Sequence, residues 1–257
     1  PMGTVALLAL CAGALVVRLL YLVSIADAPF FAQLQTNAAR YHQWASVILH
    51  GVQAPPPPFE QPPGYPYLLA MVYALWGEGR WGIAVLQAVL DACTCGGIAL
   101  LAGRWHGARV GCTAGVLAVC YGPLIDFTAE LLPVTVYLFM VCTAMLFTQT
   151  LTPTARAGQV LAAIAGWSLA LGVRAEVIWA FPVVVYDLWQ RAGRAVSLRV
   201  AGGLGAVLLL CAGVNAAYHP QFVLLTTGAG VNLWLGNNPH ADGVSPFITP
   251  PLQPIAM

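Results

Sequence analysis

The sequence has very little charge and no lysine: only 7% of its 257 residues are charged, and all ten basic residues are arginine. Soluble domains carry about a quarter charged residues, so an ordinary soluble fold is excluded. The formal net charge is +1, and no basic stripe exists that could neutralise several phosphates, which excludes a nucleic-acid partner. Internal repeats, a signature of many secondary transporters, are also lacking. Seven cysteines are present, but all lie inside apolar runs, where thiols behave as small buried hydrophobes. Cys93 and Cys95 form a C-x-C pair without the usual ligand spacing of a metal site, and His42, His50 and His219 have none either.

What the sequence does have is hydrophobicity, at 60% of its residues, arranged in long runs. A spanning helix needs about 20 mostly apolar residues. Six runs approach or exceed that length: Thr4 to Ile25, Trp81 to Gly103, Ala108 to Ile125, Leu131 to Leu151, Ala157 to Val173 and Val196 to Tyr218. A seventh, Val177 to Trp189, is shorter and contains Pro182, which membrane helices tolerate. The expected fold class is an all-α polytopic membrane protein with about seven transmembrane helices, plus interfacial helices in the first outer loop.

Tyr65 to Trp76 is too short to cross and reads as an interfacial helix. With that assignment Arg104, Arg109, Arg156, Arg191, Arg194 and Arg199 fall on one side, and Arg40, Arg80 and Arg174 on the other. The arginine-rich side is then cytoplasmic by the positive-inside rule. Residues 1–218 form the transmembrane module, with an outer loop over 26–64 and an interfacial helix over 65–77. Residues 219–257 are expected to be an outer-face segment opening a further C-terminal part, since the chain starts with Pro and ends without a closing element.

This topology gathers the polar clusters on the outer face. Asn37 to Val52 carries an apolar stripe at Ala38, Tyr41, Ala45, Ile48 and Leu49, so a surface helix is expected there, with Asn37, Arg40 and Gln43 turned to a cavity and Trp44 in an interfacial belt. Glu60 and Gln61 precede two prolines that stiffen the chain. Asp126 and Glu130 are four apart and would share a face on a continuous helix. Arg174 stands at the outer end of a span, where it either snorkels or clamps an anionic headgroup. Within the membrane, Arg18 and Asp91 differ in depth by only ~5 Å at ~1.5 Å per residue, and an ionisable group there needs a partner. Either they pair and lock the first two spans, or Asp91 is protonated and bonded to a neighbouring hydroxyl.

Five stretches carry a family resemblance: "NAARYHQWA" from Asn37, "FEQPPGYPYLLA" from Phe59, "AELLPVT" from Ala129, "VRAE" from Val173 and "GNNPHADG" from Gly236. In this order they resemble the polyprenyl-phosphate-sugar-dependent membrane glycosyltransferases of the GT-C class, namely the protein O-mannosyltransferase-like group and the aminoarabinose transferase of the lipid A pathway. The resemblance implies a seven-span module and sugar transfer with inversion. The donor would be a polyprenyl-phosphate sugar, and the acceptor a hydroxyl of a glycan, lipid or protein. It further implies a multi-pass location in a bacterial inner (plasma) membrane with the active face toward the periplasm or exterior, a bilayer context, and room for other membrane subunits.

Residue by residue, the resemblance places Asn37 at the catalytic base, normally Asp, and Glu130 at the second outer-face carboxylate. Arg174, with Gln61 and Arg40, falls on the lipid-phosphate site. Glu60 falls on a carboxylate that helps bind a divalent metal ion. Asn is no base near neutral pH, and losing general-base assistance costs about 10² to 10⁴ in rate. Three accounts fit: an Asp replaced to trap substrate, a base role moved to another acid such as Glu60, or a member that no longer transfers sugar. The alternative function is a non-catalytic membrane scaffold that keeps the module.

Overall fold

The computed structural model describes residues 3–34, 36–51 and 59–237. Among them there is helix, turn and connection but no strand. The elements are α1 (Thr4–Ser24), α2 (Pro29–Ala32), α3 (Thr36–Leu49), α4 (Gly64–Trp76), α5 (Arg80–His106), α6 (Ala108–Val119), α7 (Gly122–Asp126), α8 (Val134–Gln149) and α9 (Ala157–Val173). A 3₁₀ turn (Ala175–Ala180) follows, then α10 (Phe181–Ala192), α11 (Arg194–Tyr218) and α12 (Gly228–Asn237).

Three helices, α1, α5 and α11, with 21, 27 and 25 residues, are by themselves long and apolar enough to cross a membrane. Shorter apolar helices, α6, α8 and α9, pack among them. Large apolar side chains such as Val5, Leu8, Leu20, Leu161 and Leu209 point outward, as a bilayer solvent requires. The expected third span is broken: α6 ends at Val119 and α7 starts at Gly122 with Pro123 in its first turn. Proline has no N–H and fixes φ, so it starts a helix more readily than it continues one. The run from Val177 to Trp189 is a composite of the 3₁₀ turn and α10, with Pro182 again in a first turn. Tyr65 to Trp76 is helical as α4, and at ~1.5 Å per residue its 13 residues fall well short of a ~30 Å hydrocarbon core.

Helix α5 is the hub, packed against α1, α6 and α8. The Arg18–Asp91 pair between the first two spans forms, with Nε to Oδ2 at 2.6 Å and both side chains buried. Arg18 also donates to the carbonyls of Val119 (2.7 Å) and Ala118 (3.1 Å), so one guanidinium ties α1, α5 and the end of α6. Gln87, fully buried in α5, accepts from the Tyr65 hydroxyl at 3.0 Å. Its amide donates to the carbonyls of Thr128 (3.1 Å) and Glu130 (2.8 Å). That fixes the 127–133 turn to α4 and α5.

Hydrogen bonds also define the two ends of the bundle. Arg104 donates to the Leu146 carbonyl at 3.4 Å, and Arg191 to those of Leu151 and Thr148 at 3.3 and 3.2 Å, which gathers the ends of α5, α8 and α10. At the opposite end the Tyr21 hydroxyl donates to Asp126 at 2.7 Å, and Arg80 donates to the carbonyls of Ala129 (2.8 Å) and Phe31. Asp126 closes α7, and the chain turns through 127–133, so Asp126 and Glu130 do not share a helix face as a continuous helix would have required.

Candidate functional site

At the end where Tyr21 meets Asp126, five segments of the chain, Leu132 to Val134 at the start of α8 among them, line a cavity of about 1930 Å³. Its wall includes Asn37, Arg40 and Tyr41 from α3, and Glu60 and Gln61 from the loop before α4. Arg174 and Glu176 come from the α9–α10 junction, and His219, Phe222 and Leu225 from the segment after α11. Two backbone devices bring these segments together. Gly64, the first residue of α4, lies so close to α9 that a Cβ would meet the Gly172 carbonyl oxygen at 2.4 Å. At the far side the amides of Thr227 and Gly228 donate to the carbonyls of Phe59 (3.0 Å) and Glu60 (3.1 Å). A Cβ on Gly228 would lie 2.5 Å from that Glu60 oxygen, so only glycine fits there without displacement. The buried Asn215 amide, donating to the Val223 and Leu225 carbonyls at 3.0 and 3.1 Å, holds the same segment to α11.

Charged side chains in the wall come as two pairs. Arg40 donates to Glu60, joining α3 to the loop. Arg174, the single extended residue between α9 and the 3₁₀ turn, donates to both oxygens of Glu176, at 2.9 and 3.4 Å. Its guanidinium also lies 5.6 Å from the centre of the Tyr137 ring. Tyr41 donates to Gln61 and sits between the pairs, its hydroxyl pushed up by burial and opposed by the charges of Arg174 and Arg40.

The structure therefore places Asn37, Arg40, Glu60, Gln61 and Arg174 on one cavity. Glu130 is not among its lining residues; its carbonyl serves Gln87 instead. Gln43, expected to share the side of Asn37 and Arg40, is exposed and absent from the wall, because six residues along a helix turn it by about 240°. Trp44 is no free belt residue: its ring packs 5.5 Å from Phe59, and its Nε1 is buried with no partner among the described residues. Most of the "GNNPHADG" stretch, with His240, lies outside the described residues.

For the divalent ion expected at Glu60, the donor set decides. Such ions take about six oxygen ligands. The Glu60 carboxylate is paired with Arg40, and among the described residues no group of three or more His, Cys, Asp or Glu comes together. Glu60 is thus the one carboxylate the described residues offer an ion at that position, and the mechanism proposed for the chain uses no metal. His42 and His50 are engaged elsewhere, His42 with the Tyr73 hydroxyl at 2.9 Å and His50 with Glu78 at 2.7 Å.

Residues that sequence reasoning gave no role are Glu176 and Tyr41, together with the apolar wall of Ile178, Trp179 and Phe222. Glu176 carried a readable signal in standing two residues after Arg174. No curated protein and no solved structure matches the chain. Residues 60–218, from the Glu60 loop through the end of α11, match the family of dolichyl-phosphate-mannose-protein mannosyltransferases, and the chain belongs to that family of membrane glycosyltransferases.

Proposed function

We propose that the chain moves a sugar from a polyprenyl-phosphate donor to an acceptor hydroxyl, with inversion, at the outer face of the membrane. The observation that carries this reading is the convergence of Asn37, Arg40, Glu60, Gln61 and Arg174, from three segments, on one cavity of about 1930 Å³. Family membership supports it, since the family is described by transfer from dolichyl-phosphate-mannose. The reading includes seven crossings, with α6–α7 and the 3₁₀ turn–α10 each counted as one broken crossing, and the arginine-rich end in the cytoplasm.

In this reading Arg174 holds the donor phosphate, because its guanidinium fork matches two phosphate oxygens. The prenyl chain runs along the apolar wall of Ile178, Trp179 and Phe222. Asn37 carries an amide and cannot take a proton at neutral pH. The carboxylate nearest in kind is Glu60, bound to Arg40, which lies one turn along α3 from Asn37. Glu60 takes the proton of the acceptor hydroxyl. The acceptor oxygen bonds to the anomeric carbon, and the bond from that carbon to the phosphate oxygen breaks, its electron pair leaving on the polyprenyl phosphate. Alignment of two large substrates supplies much of the rate. Glu130, outside the wall, is given no step.

A second reading, a binding scaffold without transfer, is favoured by the amide at Asn37 alone. Sugar transfer from labelled polyprenyl-phosphate mannose in membranes separates the two. The enzyme reading expects transfer by the native chain and its loss by about 10² to 10⁴ in Glu60→Gln. Absence of transfer and of donor binding in every form supports the scaffold.

A further inference from the structure

Arg174 does not present the whole of its guanidinium to a ligand. Its Nε and Nη2 edge is filled by Glu176, two residues on, with Nη2 to Oε1 at 2.9 Å and Nε to Oε2 at 3.4 Å. The Arg174 side chain is 36% exposed and that of Glu176 61%. Tyr137 supports the guanidinium face from α8, whereas the Glu176 carboxylate is held by Arg174 and by its own main-chain N–H. Resting on the donor reading above, we propose that Glu176 is a resident counter-ion that the donor's phosphodiester displaces, so that donor binding at Arg174 is an exchange of anions.

The proposal places the donor on the Nε–Nη2 edge that Glu176 fills. A guanidinium edge that takes a carboxylate in two bonds is also the edge that takes two phosphate oxygens, and it cannot hold both. The cavity wall is otherwise balanced, with Arg40 against Glu60, so an entering phosphodiester finds no uncommitted cation in these two pairs. Exchange is easy because the outgoing carboxylate moves into solvent, where ion pairs of this exposure are weak. The same exchange works in reverse after transfer: Glu176 returns to Arg174 as polyprenyl phosphate departs. Glu176 is thus a positioning residue that sets donor affinity and product release. The other charged or titratable groups on this wall are Arg40 and Tyr41 from α3, Glu60 from the loop and His219 after α11; Tyr137 faces Arg174 from α8.

Binding of polyprenyl-phosphate mannose to the full chain in nanodiscs, with Glu176→Gln and Arg174→Gln beside the native form, tests the exchange. Glu176→Gln is expected to bind the donor about 2- to 5-fold tighter and lower its KM, matching the loss of an exposed competing pair. Inhibition by the product polyprenyl phosphate is expected to strengthen by a similar factor. Arg174→Gln is expected to weaken donor binding by roughly 10- to 100-fold. Lowering the pH through the carboxylate range should tighten donor binding more in the native chain than in Glu176→Gln, so that the two forms converge; Glu60 and His219 are common to both. Glu176→Ala, with an unchanged thermal midpoint, guards against misfolding and should shift the same way. If Arg174→Gln weakens binding while Glu176→Gln weakens or leaves it unchanged, the exchange is wrong and the donor reading survives. If Arg174→Gln has no effect, both fall.

Discussion

At the scale of single residues, Arg18 and Asp91 show how far a sequence argument reaches. Two ionisable groups in apolar runs at matching depth had to find partners, and they found each other at 2.6 Å. Legibility stopped at the remaining donors. Arg18 also takes the Ala118 and Val119 carbonyls, which lie in the last turn of α6, where carbonyls lack helical partners. Gly122-Pro123 marked a break nearby, but not Val119 as the last residue of α6. Arg18→Met strands a buried carboxylate and should cost about 3–5 kcal/mol, whereas Arg18→Met combined with Asp91→Leu should recover most of that. Thermal unfolding in detergent reads the difference, and equal losses in the single and double variants would refute the pairing energetics. Glu176 escaped notice for a related reason. Residues two apart do not meet on a helix, and the pair forms only because Arg174 is extended, with φ of −146° and ψ of 123°, before a 3₁₀ turn.

At the scale of elements, hydrophobic runs located the helices well and their interruptions poorly. The run from Ala108 to Ile125 is mostly apolar after Arg109, yet Pro123 starts a new helix, and that break places Asp126 beside Tyr21. The surface helix α3 was legible from its stripe, but not its attachments. Ser46 (2.5 Å) and His50 (2.7 Å) both hold Glu78, in the turn after α4, and these bonds, Ser46 first, keep the Glu78 carboxyl below its usual range. A carboxylate depressed in the fold contributes stability above its unfolded pKa of about 4.3 and loses it as pH falls through the lower folded value. The native chain should therefore lose more thermal stability than Glu78→Gln over that acid window, and parallel curves would contradict the clasp. Close backbone approach gives a second prediction at this scale. Gly64→Ala presses a methyl group onto the Gly172 carbonyl, and it should cost about 1–3 kcal/mol. Gly13→Ala, with open space around it in α1, should cost nothing or stabilise. Thermal midpoints of the two variants compare them directly.

At the scale of the whole molecule, composition and arginine placement were enough to indicate a polytopic helical bundle with its polar loops at one end, and the cavity lies among those loops. The cavity's closure was not legible, because it depends on main-chain bonds from Thr227 and Gly228 to Phe59 and Glu60 across more than 160 residues of sequence. Sidedness follows from the same layout. Gln221→Cys, on the cavity wall, should react with a membrane-impermeant maleimide added outside intact cells. Gly158→Cys, at the start of α9, should react only after permeabilisation. The reverse pattern would invert the topology. The central claim is that the cavity seats a polyprenyl-phosphate sugar with its phosphate at Arg174, and photo-crosslinking tests it most directly. A polyprenyl-phosphate mannose carrying a diazirine on its first prenyl unit is irradiated with the native chain and with Arg174→Gln, and the labelled peptides are mapped. Labelling confined to 174–182 and 219–225, and lost in Arg174→Gln, is the predicted result. Labelling spread over the lipid-facing sides of α1 and α6, indifferent to Arg174→Gln, would contradict the account.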